Sequence, residues 1–199
     1  VEGGWWLVAK DYPVMIRLVA DQVELFNAAI SEFQQRLDND QHELQKVFVI
    51  PPGMDGRISR LEAGRGDTHN FGRSVFRVEF KNGTSIYYKP KPLANEGWVY
   101  KHLAPKLRML GVPIGTIKIL DKQDYGWAED INNAHYSRQT NFKPESLGKI
   151  VATFYLLNGT DLHYENLAHN TQFWIHLEMD KIVRFGLFYR ECYERGGGQ

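Results

Sequence analysis

Apolar positions recur along this chain with two different periods, and the change between them marks its elements. Met15, Val19, Val23, Phe26, Ile30, Phe33 and Leu37 alternate spacings of four and three, which lines one face of a helix. Pro13 suits the first turn of that helix, and Asp38-Asn39-Asp40 is expected to end it. With fewer than four full heptads, the stripe points to a helix packed on a core rather than to a dimerising coiled coil. Pro51-Pro52-Gly53 then marks a turn, and the polar stretch from there to Asp67, with Arg57, Arg60 and Arg65, is expected to be an exposed loop.

The period switches to two at Ser74–Phe80. Phe76, Val78 and Phe80 share one face, with Val75, Arg77 and Glu79 on the other. Asn82-Gly83 predicts a type I′ turn. Ile86-Tyr87-Tyr88-Lys89 returns as the second strand, and Pro90 ends the ladder, so the hairpin presents Lys89 at a strand end. Further elements are predicted around Asn95–Leu103 (helix), from Pro105 to Leu110 (short helix), and at Thr116–Leu120 and Tyr125–Glu129 (strands). An amphipathic helix follows at Glu145–Leu157, carrying Leu147, Ile150, Val151, Phe154 and Leu157. Gly159 stands at its C-cap, and Phe173–Leu177 predicts a last strand. The order implies an α+β fold.

Composition narrows the class. Hydrophobic residues make up 43% and aromatics 13%, enough for a sizeable core in a chain of 199 residues. Lys plus Arg and Asp plus Glu are equal at 24 each, so charge gives no reason to expect nucleic-acid or membrane-surface binding. The single cysteine, Cys192, forms no internal disulfide and no cysteine-rich zinc site by itself, which favours a reducing compartment. No run of about 18 apolar residues is present to span a bilayer. The two glycosylation sequons, at Asn82 and Asn158, fall where a turn and a helix end are predicted. The ends, Val1 and a Gly-Gly-Gly-Gln tail, suggest a segment of a longer protein.

Two constellations carry candidate chemistry. Phosphoryl transfer needs a fixed cation on the phosphates, a carboxylate at the attacking hydroxyl and oxygen ligands for Mg²⁺. Protein kinases supply a strand lysine, then an Asp and an Asn five positions apart in a catalytic loop. This chain offers Lys89 on a strand, then Asp161 and Asn166 at that separation, in the same order. The D-x-H-x-x-N form, with His163 between them, is like that of lipid kinases. No G-x-G-x-x-G loop precedes Lys89, and no D-F-G follows. Taken singly, Lys89 reads equally as a solvated strand-end lysine and Asp161 as a turn residue. Glu96, on the helix after Lys89, is placed to pair with it or to face solvent. Upstream, Asp67, His69 and Arg73 lie within seven residues. They suit proton transfer with anion binding, or an Asx-capped turn before the hairpin.

Four blocks together resemble the dehydratase domain of class II lanthipeptide synthetases (the LanM type). They are Gly66-Asp67-Thr68-His69-Asn70-Phe71-Gly72-Arg73-Ser74-Val75, Tyr88-Lys89-Pro90-Lys91, Tyr125-Gly126-Trp127-Ala128-Glu129, and Gly159-Thr160-Asp161-Leu162-His163-Tyr164-Glu165-Asn166-Leu167. The resemblance runs from about Tyr12 to Asn170. It implies a kinase-like fold, nearest to lipid kinases, with an antiparallel N-lobe sheet and an incomplete helical C-lobe over residues 1–180, and a divergent tail at 181–199. The implied activity uses ATP and Mg²⁺ to phosphorylate Ser and Thr of a ribosomally made precursor peptide. It then eliminates the phosphate to give dehydroalanine or dehydrobutyrine, in the cytoplasm. A zinc cyclase domain would follow in the full-length chain. Lys89 would contact the ATP phosphates, with Glu96 as its partner. Asp161 and His163 would belong to the catalytic loop, and Asn166 would hold Mg²⁺. Asp67 and His69 match the family pair assigned to elimination, with Arg73 in the same block.

The chain departs from the family after that loop. An Ile-Asp-Leu-Glu strand is expected, but Ile175-His176-Leu177-Glu178 stands there, placing His176 where a metal-binding Asp belongs. A neutral imidazole is a poor Mg²⁺ ligand, which leaves Glu178, or Asp180 on a shifted strand, as the remaining carboxylate. Two other functions stay open: a pseudoenzyme that binds peptide without turning over ATP, and an unrelated kinase-like phosphotransferase.

Overall fold

A computed structural model describes residues 4–53, 56–63, 73–131, 143–157, 159, 166–170 and 173–176. Helix α1 (Gly4–Asp11) is followed, after Tyr12, by the 36-residue helix α2 (Pro13–Phe48). Pro13 sits in the first turn, where its missing N–H has no helical partner to lose. Contrary to expectation, α2 does not stop at Asp38-Asn39-Asp40 but continues to Phe48. Asp40 falls on the inward stripe, is 1% exposed, and accepts hydrogen bonds from Trp127 Nε1 at 2.8 Å and Lys122 Nζ at 2.9 Å. These tertiary partners outweigh the local preference of aspartate for helix ends. Val49, in the left-handed region at φ 58°, closes the helix by donating its N–H to Gln45 O.

The α2 stripe is covered over only part of its length. Ala29, Phe33, Leu44 and Phe48 are buried, as core packing requires. Leu18, Val19, Val23 and Phe26 are each more than half exposed, so the N-terminal half of the helix overhangs the body.

Among the described residues, five antiparallel strands form one sheet, in the order β1-β2-β3-β5-β4: β1 (Ile58–Glu62), β2 (Phe76–Phe80), β3 (Ser85–Lys89), β4 (Ile119–Asp121) and β5 (Gly126–Glu129). Strand β1 lies inside the stretch expected to be loop. Its side chains are exposed except for the partly buried Glu62, so it has no apolar alternation to reveal it. Backbone pairing to β2 makes it a strand, with an irregularity between Ile58 and Arg60. The β2–β3 hairpin forms with the predicted inward face, Phe76, Val78 and Phe80. Its turn is not type I′. Gly83, at φ 84°, donates its N–H to Phe80 O, Phe80 N–H bonds Thr84 O, and Asn82 keeps a negative φ. This is a type I turn closed by a glycine bulge. The Asn82 side chain stabilises it by accepting from Thr84 N–H at 3.1 Å and donating to Thr84 Oγ1 at 2.8 Å.

Two clusters fill the two faces of the sheet. Phe33, Leu44 and Phe48 of α2 pack on Phe76, Val78, Phe80, Ile86, Tyr88 and Trp127. The Phe33 and Phe76 rings lie 4.7 Å apart, and those of Tyr88 and Trp127 lie 5.1 Å apart. On the other face, Ala128 and Tyr87 meet helix α3 (Ala94–Trp98), a π-helical turn (Val99–Leu103) and helix α4 (Ala104–Met109). Helix α5 (Pro144–Leu156) and the two-stranded ribbon of β6 (Leu167–His169) and β7 (Trp174–His176) complete that side. Ribbon strand β6 was not anticipated in the polar sequence after Gly159. The mixed helix and antiparallel-sheet composition agrees with the α+β class expected from the pattern.

Two stability predictions follow from the α2 anchor. Asp40→Ala leaves the buried Trp127 N–H without its acceptor and removes one carboxylate from Lys122. It should cost about 2–4 kcal/mol, read as a lower urea midpoint at unchanged slope. The second concerns alkaline pH. Burial, then a hydrogen bond to Asp40, push the Tyr125 hydroxyl up to about 12. Bonds to Glu43 and Asp40 raise Lys122 as well. The folded chain therefore keeps protons that the unfolded chain has released, so stability falls as pH rises from about 10 towards 12. Tyr125→Phe should flatten that decline in unfolding free energy measured against pH.

Candidate active site

Tyr88 faces α2, so strand alternation sends the next side chain, Lys89, to the opposite face, where α3 lies. There the Lys89 ammonium meets the Glu96 carboxylate, with Nζ 3.3 Å from Oε2 and 3.4 Å from Oε1. The Glu96 side chain is 2% exposed, and a carboxylate so buried is costly unless cations compensate it. Lys91, two residues on, reaches the same group, with Nζ 3.9 Å from Oε1.

Three neighbouring features fix Glu96. Asp121, at the end of β4, accepts a hydrogen bond from Leu93 N–H at 2.8 Å and so ties the entry of α3 to the sheet edge. Gly126 pairs with both Lys89 and Asp121. A Cβ on Gly126 would stand 2.6 Å from Leu93 Cδ1 and 2.8 Å from Leu120 O, so only glycine lets the helix entry lie this close to β5. The third is the π-helical turn. Ala104 donates to Val99 O, a five-residue step that widens the helix just before Pro105. A proline here lacks an N–H and would crowd the preceding turn of a regular helix, and the widened turn relieves that conflict. The two helical pieces expected on either side of Pro105 are thus one run, from Ala94 to Met109.

Arg73 is held differently. Its guanidinium forks onto Glu32 of α2, with Nε 2.6 Å from Oε2 and Nη2 3.2 Å from Oε1. This hydrogen bonding raises its pKa further above the ordinary arginine value. Arg36 joins the same carboxylate at 2.5 Å, donates to the Tyr88 hydroxyl at 2.5 Å, and lies 4.1 Å over the Tyr125 ring. Arg73 therefore reaches α2, whereas Lys89 reaches α3.

Asn166 precedes β6 and is partly buried. The ribbon register sets Leu167 opposite His176, so Asn166 adjoins the residue paired with His176. Asp67, His69, Asp161, His163 and Glu178 lie outside the described residues. Among the described residues, no three His, Cys, Asp or Glu side chains gather as a metal-ligand set, and no helix is long and apolar enough to cross a membrane. Sequence reasoning reached Lys89, Glu96 and Arg73 but gave no role to Asp121, Gly126 or Glu32. Asp121 lay between two predicted strands, and Gly126 was read only as part of the second strand and of a block that carries the resemblance.

A family model described as a domain of unknown function, DUF4135, matches residues 12–183. The chain belongs to the DUF4135 family. This family is associated with the LanM-type enzymes, and the match bears out the resemblance to class II lanthipeptide synthetases. The DUF4135 chain is also similar to the lacticin 481/lactococcin biosynthesis protein of Lactococcus lactis subsp. lactis. They are 23% identical, and the match covers 92% of this chain and 21% of the relative. The chain therefore spans about a fifth of the length of that curated relative.

Gly126 offers a direct test of how this DUF4135 site is built. Gly126→Ala forces Leu93 and the entry of α3 away from β5, and should cost about 1–3 kcal/mol. A lowered thermal midpoint measures that cost. A midpoint equal to the native one would show that the close approach is not needed.

Proposed function

We propose that this DUF4135 domain is the phosphate-handling part of a lanthipeptide-modifying dehydratase with a kinase-like fold. It would act on Ser and Thr side chains of a ribosomally made precursor peptide. The observation that carries this reading is the buried Glu96 carboxylate 3.3 Å from the ammonium of the strand-end Lys89. Kinases use such a strand-lysine and helix-glutamate pair to set a cation on nucleotide phosphates. The relative's name, a lacticin 481/lactococcin biosynthesis protein, supports the peptide substrate.

In this reading Lys89 binds the phosphates of ATP, and Glu96 holds the lysine in place. Asp161 takes the proton of the attacking hydroxyl, with His163 beside it in the loop. Asn166 and Glu178 are the candidate Mg²⁺ ligands. Bound Mg²⁺ would supply charge neutralisation on the phosphates. The position of Asn166 beside the residue paired with His176 fits a ligand pair shared between a loop and the following strand. Elimination then removes a proton from the α-carbon of the phosphorylated residue and breaks its β-carbon–oxygen bond, releasing phosphate. Asp67, His69 and Arg73 are assigned to that step. The zinc cyclase that would use the dehydrated peptide belongs to the longer protein.

A second reading has a specific observation in its favour. With His176 at the expected metal-binding Asp, the chain would be a relative that holds the peptide without turning over ATP.

Calorimetry with Mg-ATP on the native chain, Lys89→Ala and His176→Asp separates the two. Native binding that weakens at least about tenfold in Lys89→Ala supports the dehydratase reading. Binding by His176→Asp alone supports the peptide-holding relative. Absence of binding in all three folded proteins would sink the nucleotide-binding reading.

A further inference from the structure

Lys91 follows Lys89 across the bend at Pro90, and both side chains turn to the Glu96 carboxylate of α3. Pro90 between them ends the β3 ladder and restricts the backbone at its own and the preceding position, which fixes how the two lysines diverge. Both ammonium groups reach the same carboxylate oxygen, Glu96 Oε1, Lys89 at 3.4 Å and Lys91 at 3.9 Å. Bringing two like charges onto one oxygen of a buried carboxylate is unfavourable by itself, since a partly dry site strengthens their repulsion. A single carboxylate needs only one such partner to remain buried. The two lysine side chains keep 13% and 21% of their exposure, so neither is sealed in the core.

We propose that Lys91 is a second contact for the phosphate chain of a nucleoside triphosphate, forming with Lys89 a two-pronged fork anchored on Glu96. This rests on the nucleotide-binding reading above and adds a residue to it. A fork of two ammonium groups matches a run of linked phosphates better than a single phosphate, because adjacent phosphate groups can each meet one prong. Lys91 therefore selects for phosphate number rather than for the base or sugar.

The test titrates the native chain, Lys91→Ala and Lys91→Arg with inorganic triphosphate, Mg-ATP and Mg-AMP in a calorimeter. Lys91→Ala should weaken triphosphate and ATP binding about tenfold and AMP binding less than about twofold, with Lys91→Arg within about threefold of native. Its thermal midpoint without ligand should match the native one, which separates lost binding from lost stability. Equal ATP and triphosphate affinity in native and Lys91→Ala overturns the fork, as does a loss of equal size for AMP. If the native chain binds triphosphate through Lys91 but not ATP, the fork stands and the nucleotide reading fails. If it binds neither, both fail.

Discussion

The hydrogen bond from Trp127 to the buried Asp40 fixes how helix α2 lies on the sheet, and the candidate site inherits its geometry from that contact. Trp127 is the register partner of Tyr88, and the Tyr88 hydroxyl accepts from Arg36, one helical turn before Asp40. Two polar contacts from one helix thus grip one cross-strand pair inside an aromatic cluster. An apolar contact alone would let the helix slide along the sheet, because hydrophobic attraction is not directional. A hydrogen bond to a buried indole N–H is directional, and breaking it exposes the cost of an unsatisfied donor. With Tyr88 held against α2, the pleat leaves Lys89 no choice of face, and it meets Glu96 on the far side.

The far side depends on smaller irregularities. Glu96 stays buried because α3 starts where Asp121 takes the Leu93 N–H and Gly126 leaves room for Leu93. The helix can continue past Pro105 because the π-helical turn absorbs the proline. Each of these features acts on the lysine through the helix that carries its partner. Regular elements set which face a side chain occupies, and the exceptions to regularity set the distance across the gap.

The legible parts of the fold were those whose burial leaves a periodic trace. Phe76, Val78 and Phe80 announced a half-buried strand, and Asn82-Gly83 announced its turn, although the backbone chose a bulged type I form that needs only one positive φ. The Lys89–Glu96 pair was within reach because strand end and helix could both be placed by pattern. Strand β1 was hidden because an exposed edge strand is defined by backbone pairing, which leaves no mark on its side chains. The end of α2 was misjudged for the reverse reason. Asp38-Asn39-Asp40 looks like a stop signal locally, and only the distant Trp127 and Lys122, brought back by the chain, make Asp40 an interior residue.

The division of the site has a chemical consequence. Its cationic half, Lys89 with Lys91 on Glu96, rests on one strand end and one helix start, both held by the sheet. The metal half, on the proposed reading, begins at Asn166 and continues on the strand that holds His176. An imidazole there weakens the hard-oxygen environment that Mg²⁺ requires, but it leaves the sheet contacts that set the two lysines unchanged. On the proposed reading, phosphate recognition and phosphate transfer therefore need not be lost together. Two ammonium groups can neutralise a bound phosphate chain in its ground state without the carboxylate that transfer asks for, whereas the loosened phosphoryl group of the transition state spreads charge beyond their fixed reach and depends on the metal.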